Sequence, residues 1–316
     1  MNETRKSPEA RDNAIPAREV SATNSPTAAS GTGIPACAPA TASPTISQHR
    51  LNTYTPARVS LQTTGQSLTT EEILNLQLAT AQARDAVHAK LDVPHLLAAL
   101  TQHELASARN FAAAKSTQAG MPVLLTSTAA TRAGYLRNPG AGRTLSPASI
   151  AQLQALNSAS HPASYDVAFV IADGLSALAV DRHALPLLDA TLPLLAPAWR
   201  IAPICIVEQA RVAIADPIGE LLGANLSVIL IGERPGLSSP DSLGVYITWN
   251  PRPGRTDAER NCISNIRPEG LSYQEAAALL HFYLTESRRL QQSGTLLKPT
   301  TASPTAAAHT LPEPQP

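Results

Sequence analysis

The chain has 316 residues with 24 basic and 24 acidic side chains, so its formal charge is zero. That excludes the basic excess of a nucleic-acid binder and of a polybasic membrane-surface protein. Hydrophobic residues make up 43% and aromatics only 3%, so Ala, Leu, Ile and Val must build the core. Length suggests about two domains. Cys37, Cys205 and Cys262 are too few and too scattered for a disulfide framework or a zinc site, which fits a reducing cytoplasm. The opening MNETRKSPEA has no apolar h-region, and no apolar run approaches the ~18 residues of a membrane span.

Residues 1–53 are rich in Ala, Ser, Thr and Pro, and the segment from Pro299 to Pro316 shares that character. Neither has enough apolar area to offset its ordering entropy, so both are expected to be disordered. Gly31-Thr32-Gly33-Ile34-Pro35-Ala36 loosely matches a dinucleotide fingerprint but follows no strand, and is a chance match. The first helix is expected over 69–90. Thr69 and Glu72 form a capping box, and Ile73, Leu76, Thr80, Ala83 and Val87 repeat at spacings of three and four. Pro94 opens a second helix over 94–115, and a third is expected over 145–156.

After Tyr165 the pattern changes. Val167–Ala172, Ile201–Val207, Leu226–Ile231 and Val245–Trp249 are short apolar runs, as expected of strands buried on both faces. Helical segments at 176–195, 217–223 and 272–291 alternate with them. The alternation predicts an α/β fold, a Rossmann-like parallel sheet with flanking helices, preceded by a helical region. The expected organisation is a disordered extension at 1–53, a mainly helical region at 54–160, an α/β domain at 161–298 and a disordered tail at 299–316.

Right-handed crossovers bring the loops that follow the strands to one sheet edge, where open α/β sheets bind ligands. Three loops stand out: Asp173-Gly174-Leu175-Ser176, Gly232-Glu233-Arg234-Pro235-Gly236 and Asn261-Cys262-Ile263-Ser264-Asn265. A pure turn explains Gly and Pro but not a carboxylate, a guanidinium and a thiol at one edge. Two other patterns are discounted. Ser176 and His183 lack the Gly of a nucleophile elbow, since Leu178 stands two residues after the serine, and a solvated helix face accounts for the pair. Asp181-Arg182-His183 has the first half of a cobalt-ligating pattern, but Pro186 occupies its sixth position mid-helix, so a surface histidine is expected.

Residues 165–290 resemble the small subunit (light chain) of adenosylcobalamin-dependent ethanolamine ammonia-lyase. The resemblance rests on Asp173-Gly174-Leu175-Ser176-Ala177, on Arg211-Val212 with Ile218-Gly219-Glu220-Leu221-Leu222-Gly223-Ala224, on Ile231 through Leu237, and on Asn261 through Ile266. It extends upstream through Ala83–His88 and Tyr135-Leu136-Arg137, covering about 56–298. The sequence departs from the family where a Gly-Arg-Ala-Gly stretch is usual: Gln62-Thr63-Thr64-Gly65 stands there and removes an Arg that would face a partner.

The resemblance implies adenosylcobalamin as cofactor, held between this chain and a large subunit that binds ethanolamine. The assembly would be a cytoplasmic hetero-oligomer of six large and six small subunits, free or packaged in a bacterial microcompartment. The radical reaction would yield acetaldehyde and ammonia, with no catalytic residue and no metal ligand on this chain. It also implies three cofactor contacts, Val212, Glu233 and Cys262. Glu233 can accept N–H bonds from cobalamin's rim of amides, Gly232 and Gly236 would let backbone approach closely, Val212 offers a small apolar surface, and Cys262 is small and weakly polar. The competing reading is a non-catalytic α/β ligand-binding or scaffold module.

Overall fold

The computed structural model describes residues 61, 63–64, 66–102, 121–159 and 165–299. The chain divides into two units, Met1–Ile46 and Ser47–Pro316, and every described residue belongs to the second. The expected disordered extension, the fingerprint at Gly31–Ala36, residues 103–115 of the second predicted helix, and residues 300–316 lie outside the described residues.

A short antiparallel pair, Thr63–Thr64 with Ser67–Leu68, precedes helices α1 (Thr70–His88) and α2 (Val93–Gln102), followed by β1 (Val123–Thr126), α3 (Arg132–Arg137) and α4 (Pro147–Ala159). Then β2 (Tyr165–Ala172), α5 (Ala177–Leu195), β3 (Cys205–Glu208), α6 (Ala215–Leu222) and β4 (Ala224–Gly232) alternate. Strands β5 (Leu243–Trp249) and β6 (Arg260–Ile266) precede α7 (Tyr273–Leu290). The six strands form one sheet in the order β1-β3-β2-β4-β5-β6. The first four in that order run parallel, whereas β5 and β6 are antiparallel to their neighbours.

Side-chain alternation along the buried strands feeds two apolar layers. Val167, Phe169 and Ile171 of β2 face Leu187 and Leu188 of α5 and Leu280 and Leu284 of α7. Ala168, Val170 and Ala172 face the other way, with Ile229 and Ile231 of β4, towards Leu153 of α4 and Ile218 and Leu222 of α6. Each such side chain contributes roughly 1.5–3 kcal/mol on burial. Helix α6 stops at Gly223, whose φ of +69° is the left-handed conformation that favours glycine, and the chain enters β4 at once.

The α/β architecture matches the sequence expectation, with four local differences. Val123–Thr126, in the region read as mainly helical, is a sheet strand. The strand expected at Ile201–Val207 is regular only over Cys205–Glu208, with Ile201 forming a single bridge to Val167. Asn261–Asn265, read as a loop, lies within strand β6, whose exposed alternate positions disguise it. Helix α1 buries only Ala79 and Ala86; Leu76, Ala83 and Val87 of its predicted stripe are half-buried and Ile73 is 41% exposed, so the stripe covers the core only in part.

Candidate functional site at the carboxyl edge of the sheet

Register places the ends of β1, β3, β2 and β4 at one edge: Thr126 pairs with Glu208, and Ala172 with both Val207 and Ile231. The antiparallel ribbon brings Leu243 and Ile266 to the same edge, beside Gly232. The loops singled out from sequence therefore converge, as an open α/β sheet requires.

Asp173 plays a structural part there. It is 1% exposed, and its carboxylate accepts the backbone N–H of Gln209 and of Ala210, both at 3.0 Å. Arg132 donates to it at 3.2 Å, to the Gly174 carbonyl at 2.8 Å and to the Val87 carbonyl at 2.8 Å. Ser127 donates to the Gln209 carbonyl at 2.7 Å and Tyr135 to the Ala210 carbonyl at 2.9 Å. The turn after β3, including Gln209 at φ +55°, is thus held by four hydrogen bonds with three side chains. The guanidinium groups of Arg132 and Arg211 lie 5.0 and 5.4 Å from the Tyr135 ring. Burial pushes the Tyr135 phenol up to about 12, so it donates at neutral pH. Arg132 and Tyr135 were not among the residues selected as candidate contacts; their spacing in a short segment carries no signal until β1 is known to join the sheet.

The turn pinned by Asp173 delivers Val212, half-buried at the start of a 3₁₀ turn leading into α6 and packed on the layer that also holds Tyr246. Glu233 leaves the end of β4 on that same face. Its carboxylate accepts from the hydroxyls of Ser242 and Ser264 and from the Asn265 N–H at 3.3 Å. Cys262 pairs with Tyr246 across the β5–β6 ladder and is exposed. Desolvation first and the Glu233 charge after it raise the thiol above its usual range, against the opposing pull of Tyr246 and Ser264. Cys262 is therefore a thiol at neutral pH and a poor nucleophile. The structure brings Glu233 and Cys262 into one cluster with Tyr246, Ser242 and Ser264, and puts Val212 on the same side of the sheet.

The glycines flanking Glu233 have a different cause from the one expected. A Cβ on Gly232 would lie 2.0 Å from the Ser176 carbonyl oxygen, and one on Gly174, at φ +57°, would lie 2.3 Å from the Gly232 carbonyl oxygen. The turns after β2 and β4 touch each other there, and Leu175 N–H donates to the Gly232 carbonyl at 2.9 Å. Gly236 closes a turn with Ser239. The close approach that cradles Glu233 is instead at Gly244, where a Cβ would sit 2.9 Å from Glu233 Oε1.

Ser176 is the N-cap of α5, accepting the Ala179 N–H at 3.3 Å and donating to the Pro240 carbonyl at 2.8 Å. His183, expected on the surface, is buried at 3% exposure, with Nδ1 2.8 Å from the Tyr273 hydroxyl and Nε2 3.4 Å from Asp241. Both residues hold the 233–242 turn against α5 and α7, and neither is on a solvated face. Among the described residues no three His, Cys, Asp or Glu side chains are grouped to hold a metal ion, and no helix is long and apolar enough to cross a membrane.

A doubly covered α/β sheet with an open polar cluster at its carboxyl edge defines a Rossmann-like α/β protein. Within that class, residues 47–298 match the family model described as ethanolamine ammonia-lyase light chain (EutC). The chain is 51% identical over 261 residues to the ethanolamine ammonia-lyase small subunit of Azotobacter vinelandii, covering 82% of this chain and 90% of that protein. It is 51% identical over 249 residues to the small subunits of Ralstonia nicotianae and Pseudomonas aeruginosa, covering 78% of this chain and 86% and 85% of those proteins. The chain belongs to the ethanolamine ammonia-lyase light-chain family.

Proposed function

We propose that this chain is the small subunit of an adenosylcobalamin-dependent ethanolamine ammonia-lyase and presents Val212, Glu233 and Cys262 to the cofactor. A large subunit completes the site and holds ethanolamine, in a cytoplasmic hetero-oligomer of six large and six small subunits. The observation that carries this reading is the Glu233–Cys262 cluster, open to solvent at the sheet edge of a chain in this family.

The donor set fits the group. A carboxylate has about four lone-pair sites, and Glu233 accepts three bonds from the protein, two at Oε2 and one at Oε1. That leaves acceptor capacity towards the outer face, where Cys262, Ser264 and Asn265 are exposed. An amide-rimmed ligand would meet an acceptor in Glu233, small polar groups beside it and the half-buried Val212 methyls further along. When bound, adenosylcobalamin supplies a cobalt–carbon bond that breaks homolytically to start radical chemistry. This chain's residues orient the ligand and shield one side of it from water.

The test is a spectrophotometric titration of adenosylcobalamin into the reconstituted complex. Losing hydrogen bonds to a charged group, worth about 1.5–3 kcal/mol, means that Glu233→Ala weakens binding roughly 10–100-fold. Val212→Ala loses a little apolar area, about 1 kcal/mol. Glu233→Ala binding as tightly as the parent would remove Glu233 from the site.

A further inference from the structure

A separate recess opens at the same sheet edge over the ends of β1 and β3, two strands away from the Glu233–Cys262 ribbon. Its volume is about 620 Å³, in the range of small-molecule sites. The walls carry many hydroxyls, but these are engaged by the protein. Thr126 bonds Ser146 at 2.9 Å, and Thr128 donates to the Ala141 carbonyl at 2.8 Å. Four lining groups have no polar partner among the described residues. They are the Lys90 ammonium, the Glu208 carboxylate, Arg132 Nη2 and Gln209 Oε1. Arg132 is only 7% exposed, and its other two nitrogens are fully committed to Val87, Asp173 and Gly174.

The engaged groups belong to the scaffold; the unengaged ones state what the recess lacks. Two are cationic donors and two are acceptors, one of them anionic. Lys90 is exposed and Glu208 half-buried, so water serves both, whereas Arg132 Nη2 and Gln209 Oε1 are buried, where a polar group without a partner costs about 1–3 kcal/mol and a ligand that supplies one is favoured. A simple anion would satisfy Lys90 and Arg132 but face Glu208. A simple amine would satisfy Glu208 and Gln209 but face the two cations. The first turn of α4, whose Ser146 and Pro147 also line the recess, adds a positive helix terminus to its wall. We propose that this recess binds a small zwitterion, a primary ammonium joined to a carboxylate or phosphate. It is a second site, independent of the cobalamin contacts. The Arg132 fork, anchored at two of its three nitrogens, is pre-organised for the anionic end.

Calorimetric titration of the full chain tests this, with serine and O-phosphoethanolamine as zwitterionic probes and ethanolamine and inorganic phosphate as controls that carry only one sign of charge. The serine arm reads a carboxylate partner and the other a phosphate. At least one zwitterion binds at least about tenfold tighter than either control, and Glu208→Gln and Lys90→Met each weaken it roughly 10–100-fold with unchanged melting. The proposal is overturned if neither zwitterion binds at ~10 mM, well above a Kd of ~1 mM. It is equally overturned if a control binds as well as the zwitterions, or if both variants bind like the parent.

Discussion

Asp173 shows how a residue in a conspicuous motif can serve the fold rather than the ligand. Its two backbone bonds and its pairing with Arg132 set where Gln209 and Ala210 lie, and so where Val212 is presented. Removing one partner of such a buried pair leaves an uncompensated charge, at a cost of about 3–5 kcal/mol. Asp173→Ala is therefore expected to lower unfolding free energy by about that amount, measured by urea denaturation, whereas Glu233→Ala at the half-exposed ribbon stays within about 1 kcal/mol. His183 gives a pH signature. Burial lowers its pKa below the ordinary 6.5, against the opposing pull of Asp241. Its contribution is fully present above the unfolded pKa of 6.5. As pH falls from there towards the folded value, the unfolded chain binds a proton that the folded chain resists, so stability drops. Unfolding curves between about pH 7.5 and 5.5 should show that loss, and His183→Asn should flatten it. An equal slope in the variant would assign the effect to other groups.

At the scale of elements, burial decides what can be read from sequence. Strands β2 and β4 are covered on both faces and so appear as unbroken apolar runs. Strand β6 is an edge strand with Cys262, Ser264 and Asn265 exposed, and its polar positions look like a loop. Glu233, Cys262 and Ser264 were legible through motifs, but their partners Tyr246 and Ser242 were not, because only the pairing of β5 with β6 and with the end of β4 puts them together. The alternation Leu243-Gly244-Val245-Tyr246-Ile247 was the available signal that Tyr246 faces away from Val245 and Ile247. Helix α1 covers the core only lightly: Leu76, Ala83 and Val87 of its apolar spacing are half-buried, and Leu74 and Leu78, off that stripe, are 58% and 59% exposed. Replacing both with Lys should change unfolding free energy by less than about 0.5 kcal/mol each. Leu188→Ala in α5, at a site 1% exposed, should cost about 2–5 kcal/mol. A large loss from the α1 pair would show that this helix carries stability its exposure does not reveal.

For the whole molecule, three boundaries coincide near residue 47. The Ser47–Pro316 unit begins there, the light-chain family match starts at residue 47, and the Ala-, Ser- and Pro-rich composition ends within a few residues of it. Every interaction described above, from the Asp173 clamp to the Glu233 cluster, is made within that unit. The anchor at the far end is also internal to it. Asn261, buried in β6, donates to the Gly294 carbonyl at 3.0 Å and the Leu297 carbonyl at 2.9 Å, and accepts the Gly294 N–H at 2.8 Å. Those three bonds tie residues 294–297 to the sheet, and Leu297 joins the core layer of α5 and α7. Among the described residues, the last such tie to the core is therefore at Leu297, close to the end of the family match at residue 298. A chain of residues 47–298 should melt within a few degrees of the full chain, since a shift of ~1 kcal/mol moves the midpoint of a domain this size by only about 2–4 °C. Shortening it further to residue 292 removes the Asn261 partners and the Leu297 side chain. Three lost hydrogen bonds at about 1 kcal/mol each, plus roughly 1.5–3 kcal/mol of apolar burial, put that loss at several kcal/mol. Thermal denaturation of the three chains separates the cases: equal midpoints for all three would show that the Asn261 anchor holds a segment the fold does not need.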